Sequence, residues 1–119
     1  MKSKFTEIRQ GDICSVNFNP THGDEVKKIR HAIVISGNFA VGLDLKIVAP
    51  ITSWKKDFDK IWWLHMLVPT KQNGLKANSA VNCYQMRCIS IERIVKKIGS
   101  ETAELEEIIA TAQNCIEMI

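Results

Sequence analysis

"DICSVNFNPTHGDEVKKIRHAIVIS", residues 12–36, decides the fold. In its first eight residues Cys14, Val16 and Phe18 turn one way and Ser15, Asn17 and Asn19 the other. That period of two belongs to a half-buried strand. Its end, "HAIVIS" (31–36), is a short β-branched run and reads as a second, buried strand. Between them Pro20 and Gly23 punctuate a loop that carries Asp24, Glu25, Lys27, Lys28 and Arg30. The plainest reading is a solvated turn between two strands, because most charge-rich loops are only wet. Whether a residue there does chemistry depends on what the rest of the chain sets beside it.

Working outward, "LKIVAPIT" (45–52) follows Gly37, Asn38 and Gly42 and reads as a third strand. "KIWWLHMLVP" (60–69) reads as a fourth, closed by Pro69, with Trp62 and Trp63 on opposite faces, one for the core and one free for an interface. Asn73-Gly74 marks a turn, and "AVNCYQMRCIS" and "ERIVKKIGS" follow as extended segments, with Gln85 and Arg87 on one face. Then the period changes. Leu105, Ile108, Ile109, Ala112, Ile116 and Ile119 recur at three and four, which predicts an amphipathic helix over 100–118 with Ser100 as N-cap and Glu101 and Glu104 in the favourable first turn. The expected fold is mainly β, five to seven antiparallel strands in a small barrel or rolled sheet, with a C-terminal helix. One domain is expected over residues 1–119, with 1–7 flexible.

The net charge of +3 is unevenly spread. Residues 1–98 hold all 16 lysines and arginines against 8 acids, a net +8, while residues 99–119 hold five glutamates and no base. A basic body suits a polyanionic or acidic partner. Cys14, Cys83, Cys88 and Cys115 form no C-x-x-C pair, and three of them fall in apolar or strand-like runs, so reduced, buried thiols are expected. His22, His31 and His65 are scattered, so neither a metal site nor a cofactor is expected. No apolar run nears the ~20 residues of a membrane span, and the start carries no signal-peptide stretch, so a cytoplasmic protein without a membrane partner is expected.

Three sets of polar residues need explaining together: the opening loop, "PITSWKK" (50–56), and "YQMRCISIER", where Arg93 follows Arg87 by six. Strand ends of a small sheet converge on one rim, so separated segments can build one site. In order, Gly11-Asp12, Pro20, Gly23-Asp24-Glu25 and Arg30, then "APITS" with Thr52, then "SAVNCYQMRCISIERI" and a final L-x-x-I-I helix resemble the MazF/PemK (Kid) toxins of bacterial toxin–antitoxin systems. The resemblance covers residues 8–119. One departure stands out: the family usually has proline after the first arginine, and this chain has His31. That frees a backbone donor, loosens φ at the strand entry and adds a titratable group.

The resemblance implies an SH3-like small barrel of the CcdB/Kid/MazF type, assembled as a homodimer. It implies a metal-independent, sequence-specific endoribonuclease that cuts single-stranded mRNA and so inhibits translation and growth. It also implies an acidic antitoxin whose tail occupies the basic RNA groove, with DNA met only through the antitoxin complex. In such chemistry the 2′-OH attacks the adjacent phosphate, and the enzyme must align it, move protons and stabilise the phosphorane. Arg30 suits the phosphorane because its guanidinium is a planar, permanently charged fork of donors; proposals for the family give it an acid–base role instead. Thr52 is a neutral donor for a phosphate oxygen. Glu25 is either the general base or the ion-pair partner that orients Arg30. His22 and His31 are further candidate acids or bases, and His22 is equally a surface loop residue. Lys27, Lys28, Ser53, Lys55, Lys56, Gln85 and Arg87 are the candidates for RNA contacts, and Trp54 can stack an unpaired base or pack at the rim. Two alternatives remain: a catalytically silent relative that binds RNA or antitoxin, for which His31 leaves room, and a CcdB-like gyrase poison. The gyrase reading lacks its terminal Trp-Gly-Ile, since the chain ends "CIEMI".

Overall fold

The computed structural model describes residues 4–117. Seven strands form one antiparallel sheet: β1 (Asp12–Asn17), β2 (Ile29–Val34), β3 (Leu45–Ser53), β4 (Leu64–Leu67), β5 (Ser79–Asn82), β6 (Arg87–Ser90) and β7 (Ile94–Ser100). The order is β4-β5-β3-β2-β1-β7, and β3 changes partner along its outer side, from β6 at residues 45–48 to β5 at residues 51–53. Pro50 falls at this change, where a missing N–H removes no bond from either ladder. With helix α1 (Leu105–Asn114) the result is the expected fold, an SH3-like small barrel closed by a C-terminal helix.

Side chains alternate along each strand, and here both sheet faces are covered. Val16, Phe18, Ala32, Val34, Val48 and Ile89 pack on one side. Ile13, Ile33, Ile51, Leu67, Val81 and Ile108 pack on the other, where α1 lies. Each of these side chains larger than alanine contributes roughly 1.5–3 kcal/mol by leaving water. β1 is therefore buried on both faces from Asp12 to Val16, where the alternation alone had suggested a half-buried strand.

Several local expectations are revised. The helix is shorter at its start: Ser100 ends β7, and its N–H donates to the carbonyl of Gln72 (3.0 Å) rather than its side chain capping α1. The N-cap position is Glu104, without a side-chain cap bond. The buried Glu101 braces the turn ahead of it, accepting from Glu104 N (3.2 Å) and Asn73 Nδ2 (3.1 Å), while its own N–H donates to Gly11 O (2.8 Å). A Cβ on Gly11, at φ +93°, would meet that Glu101 carbonyl at 2.8 Å, so the close crossing requires glycine. Lys4–Glu7 form a 3-10 turn with Phe5 against the core, so the start is not wholly loose; residues 1–3 and 118–119, including Ile119, lie outside the described residues.

Residues 60–63 turn where a strand over 60–69 was expected, because Ile61 N donates to Phe58 O (3.0 Å) and Leu64 N to Ile61 O (3.2 Å). Trp62 and Trp63 consequently do not alternate across a strand. They meet edge to face at 5.6 Å, Trp63 also touches Tyr84, and Trp62 is 59% exposed. A 3-10 turn at Cys83–Gln85 breaks the next segment, so Gln85 and Arg87 share no strand face. Cys14 and Cys83 are buried, and desolvation pushes both thiols up to about 12; Cys115 is half-buried, and Cys88 is exposed because it alternates with buried Ile89.

Candidate functional site

The charged loop between β1 and β2 is closed by its own backbone and braced from the far end of the chain. Phe18 N donates to Lys28 O (2.9 Å), and Lys28 N donates to Asn19 Oδ1 (3.0 Å). These bonds hold Lys28 at φ +68°, a conformation unfavourable for a residue with a Cβ. Inside the loop, His22 N donates to Glu25 Oε1 (2.6 Å) and Glu25 N to His22 O (3.2 Å). Glu25 thus closes a turn with His22, and no ion pair joins it to Arg30 among the described residues.

The brace comes from three side chains of the third polar set. Gln85 Oε1 accepts from Val26 N (2.6 Å), and its Nε2 donates to Asp24 O (3.3 Å). Arg87 Nη1 donates to Phe18 O (3.4 Å) with its guanidinium 5.9 Å from the Phe18 ring centroid. Arg93 Nη1 donates to the carbonyls of Asn17 (3.1 Å) and Asn19. Residues separated from the loop by 59 to 76 positions therefore fix its shape.

Two hollows flank this loop. One, of about 380 Å³, is lined by Ser15, Arg30, His31, Thr52, Ser53 and Lys76, with Ile51 and Leu75 as its apolar floor. Ser15 pairs with His31 across β1–β2, and His31 with Ile51 across β2–β3. The same register carried one residue further sets Arg30 opposite Thr52. Arg30 is exposed, and its side chain makes no hydrogen bond or ion pair to another described residue. The second hollow is lined by Phe18, Asp24, Glu25, Pro50, Gln85 and Arg87. The candidate residues are therefore divided: Arg30, His31, Thr52 and Ser53 meet in the first, and Glu25, Gln85 and Arg87 in the second.

His31 is half-buried; desolvation first and nearby Lys96 second hold its imidazole below the ordinary range. Its neutral form is thus favoured in a hollow that Arg30 and Lys76 make basic. His22, Lys27 and Lys28 are exposed in the loop, and Lys55 and Lys56 are exposed beyond β3. Trp54 is half-buried, edge-on to Phe58 at 5.6 Å, with its backbone N–H on Asn78 O (3.0 Å). Sequence reasoning did not single out Ser15, Lys76 or Ser79 as lining residues. For Ser15 a signal existed, its polar position in an alternating strand; Lys76 and Ser79 reach the hollow only through the fold.

A family model of PemK-like, MazF-like toxins of type II toxin–antitoxin systems matches residues 9–116. The chain belongs to this family. It is similar to Endoribonuclease MazF9 of Mycobacterium tuberculosis (strain ATCC 25618 / H37Rv), at 29% identity over 84% of this chain and 91% of that protein. Among solved structures it is similar to Mycobacterium tuberculosis toxin MazF-mt6, with a TM-score of 0.69 at 20% identity, covering 91% of this chain and 98% of that one. It is also similar to MazE-MazF from Deinococcus radiodurans, with a TM-score of 0.62 at 21% identity, covering 91% of this chain and 90% of that one. No helix among the described residues is long and apolar enough to cross a membrane.

Proposed function

We propose that this toxin is an endoribonuclease that cuts single-stranded mRNA without a metal ion in the reaction, by attack of the 2′-OH on the adjacent phosphate. The observation that carries the reading is Arg30: exposed, unpartnered among the described residues, and opposite Thr52 at the rim of a basic hollow. A guanidinium left without a protein acceptor keeps its donors for two phosphate oxygens and favours the charge that grows on the phosphorane. Thr52 Oγ1 holds a phosphate oxygen or the attacking hydroxyl. The base is a group of this rim or loop. His31 has the neutral form a base requires, and Glu25, held at Oε1 by the turn it closes with His22, offers its other carboxylate oxygen.

In this reading Lys27, Lys28, Lys55, Lys56 and Lys76 meet flanking phosphates, and Trp54 stacks an unpaired base on its ring face. Gln85 serves the loop, since its amide oxygen and nitrogen both hold loop backbone, while Arg87 braces Phe18 O through one Nη1 and keeps its other N–H groups for a phosphate. The working unit is a homodimer. An apolar hollow lined by Ile35, Ile47, Met86, Ile109 and Ile116, beside Leu45 at 56% exposure, supplies a face that a second copy would cover. The silencing partner is an acidic antitoxin segment with apolar anchors, competing with RNA for Arg30 and the lysines.

The test is a labelled single-stranded RNA incubated with the purified toxin in EDTA. Cleavage is expected to leave a 5′-OH on the downstream fragment, and a 2′-O-methyl group at the scissile nucleotide is expected to block it. No cleavage of any long RNA would favour a silent relative that only binds. A 5′-phosphate on the downstream fragment would make water the nucleophile and end this mechanism.

A further inference from the structure

Away from both hollows, β4 and the start of α1 bring together three side chains with no part in the reading above. His65 lies on β4, and Glu104 and Glu107 lie at the head of α1, three residues apart and so on neighbouring positions of one helix face. His65 Nε2 is 3.0 Å from Glu104 Oε1, and one ligand atom from each of the three residues lies within 4.8 Å of the other two. The His65 side chain is only 15% exposed, so packing fixes its ring, while Glu107 is open to solvent. Among the described residues this is the one set of three histidine, cysteine or carboxylate side chains so closely gathered.

We propose that His65, Glu104 and Glu107 form a zinc site that ties the edge strand β4 to α1. One imidazole nitrogen and two carboxylate oxygens suit a borderline cation such as Zn²⁺, at Zn–N and Zn–O distances of roughly 2.0–2.2 Å. Water takes the fourth position on the solvent side, beside Glu107. The two carboxylates bring about two negative charges against the roughly half charge of a helix N-terminus, so the local field favours a dication. The hydrogen bond from His65 to Glu104 aims the imidazole nitrogen at the place the cation occupies. Metal entry requires the Nε2 proton to leave, passing through solvent to Nδ1 in a neutral ring. Two bonds to the same ion then replace the hydrogen bond, so the strand-to-helix link gains strength without a change of fold. The site lies outside the hollow of Arg30 and Thr52, so its role is structural.

The experiment titrates the metal-stripped, full-length protein with zinc chloride by calorimetry and repeats the titration with cobalt(II) to read the ligand type. One equivalent per chain is expected, with a melting temperature raised by roughly 5–10 °C at saturating zinc. The cobalt spectrum is expected to lack a thiolate charge-transfer band, because no cysteine takes part. Glu107→Gln, at an exposed position, and His65→Gln are each expected to weaken zinc at least ~10-fold with retained fold by circular dichroism. Stripping the metal is expected to leave the RNA cleavage rate unchanged, so failure here and failure of the ribonuclease reading are separable. Absence of saturable binding in the wild-type chain, a thiolate band, or wild-type affinity in Glu107→Gln would overturn the site.

Discussion

The two hollows beside the β1–β2 loop contain similar residue types and use them in opposite ways. In the first, Arg30 has no partner among the described residues, and it shares the rim with Thr52, Ser53 and Lys76. In the second, Gln85 spends both its amide oxygen and its amide nitrogen on the backbone of Val26 and Asp24, and Arg87 gives one Nη1 bond to Phe18 O. A polar group satisfied within the protein gains little from a ligand, whereas an exposed charge without a partner is kept available for one. The difference teaches that cationic and amide side chains brought together by one fold divide into those that hold the loop and those left to bind.

Mutation can break or sharpen this contrast. The largest effect is expected for Arg30→Ala: a ~100- to 1000-fold loss of RNA cleavage with an unchanged melting temperature. Near-native cleavage by this variant would empty the first hollow of its assigned role. Gln85→Ala is expected to reach activity through the loop, leaving Val26 N without its acceptor. Stability should fall by about 1–3 kcal/mol and kcat by roughly 10-fold, with KM nearly constant and much of the loss recovered in Gln85→Glu, which keeps the acceptor. A rise in KM at unchanged stability would instead make Gln85 an RNA contact. Thr52→Ala is expected to cost roughly 5-fold in cleavage, the scale of one neutral hydrogen bond, and an unchanged rate would make Thr52 scaffold.

The smallest expected effect is on the pH dependence of stability. His31 has its pKa lowered by burial and by Lys96, so below the ordinary histidine value the unfolded chain binds more protons than the folded one. The fold loses stability as pH falls from about 6.5 toward the lowered folded value, and not above it. Melting curves at pH 7.5 and 5.5 should therefore lie closer together for His31→Gln than for the wild type. An equal gap in the two proteins would show that His31 titrates alike in both states.

Much of this was legible in the chain itself. A period-two run gave β1 and short β-branched runs gave β2 and β3, because an alternating or β-branched segment of that length has few other ways to bury its side chains. The switch to a period of three and four gave α1 for the same reason. Arg30, Thr52 and Ser53 could be named only through the ordered motifs that resemble the toxin family, since a charged loop and the end of a strand by themselves read as scaffold. The spacing that makes them neighbours follows from antiparallel register, which a hairpin and its next strand nearly dictate.

What the sequence could not carry were contacts that span the chain. Ser100 looks like an N-cap until Gln72 takes its N–H and Glu101 turns inward to Asn73, events that belong to loop crossings. Gln85 and Arg87 look like ligands for RNA until the loop about 60–70 residues upstream lies under them. His65 and Glu104 stand 39 positions apart, a distance at which no ligand spacing can be read. Local periodicity determined which segments extend and which coil, because that is settled by burial along one element. Only the tertiary structure decided which polar groups are satisfied, because a hydrogen bond needs its partner placed to within a few tenths of an ångström, and that partner comes from another part of the chain.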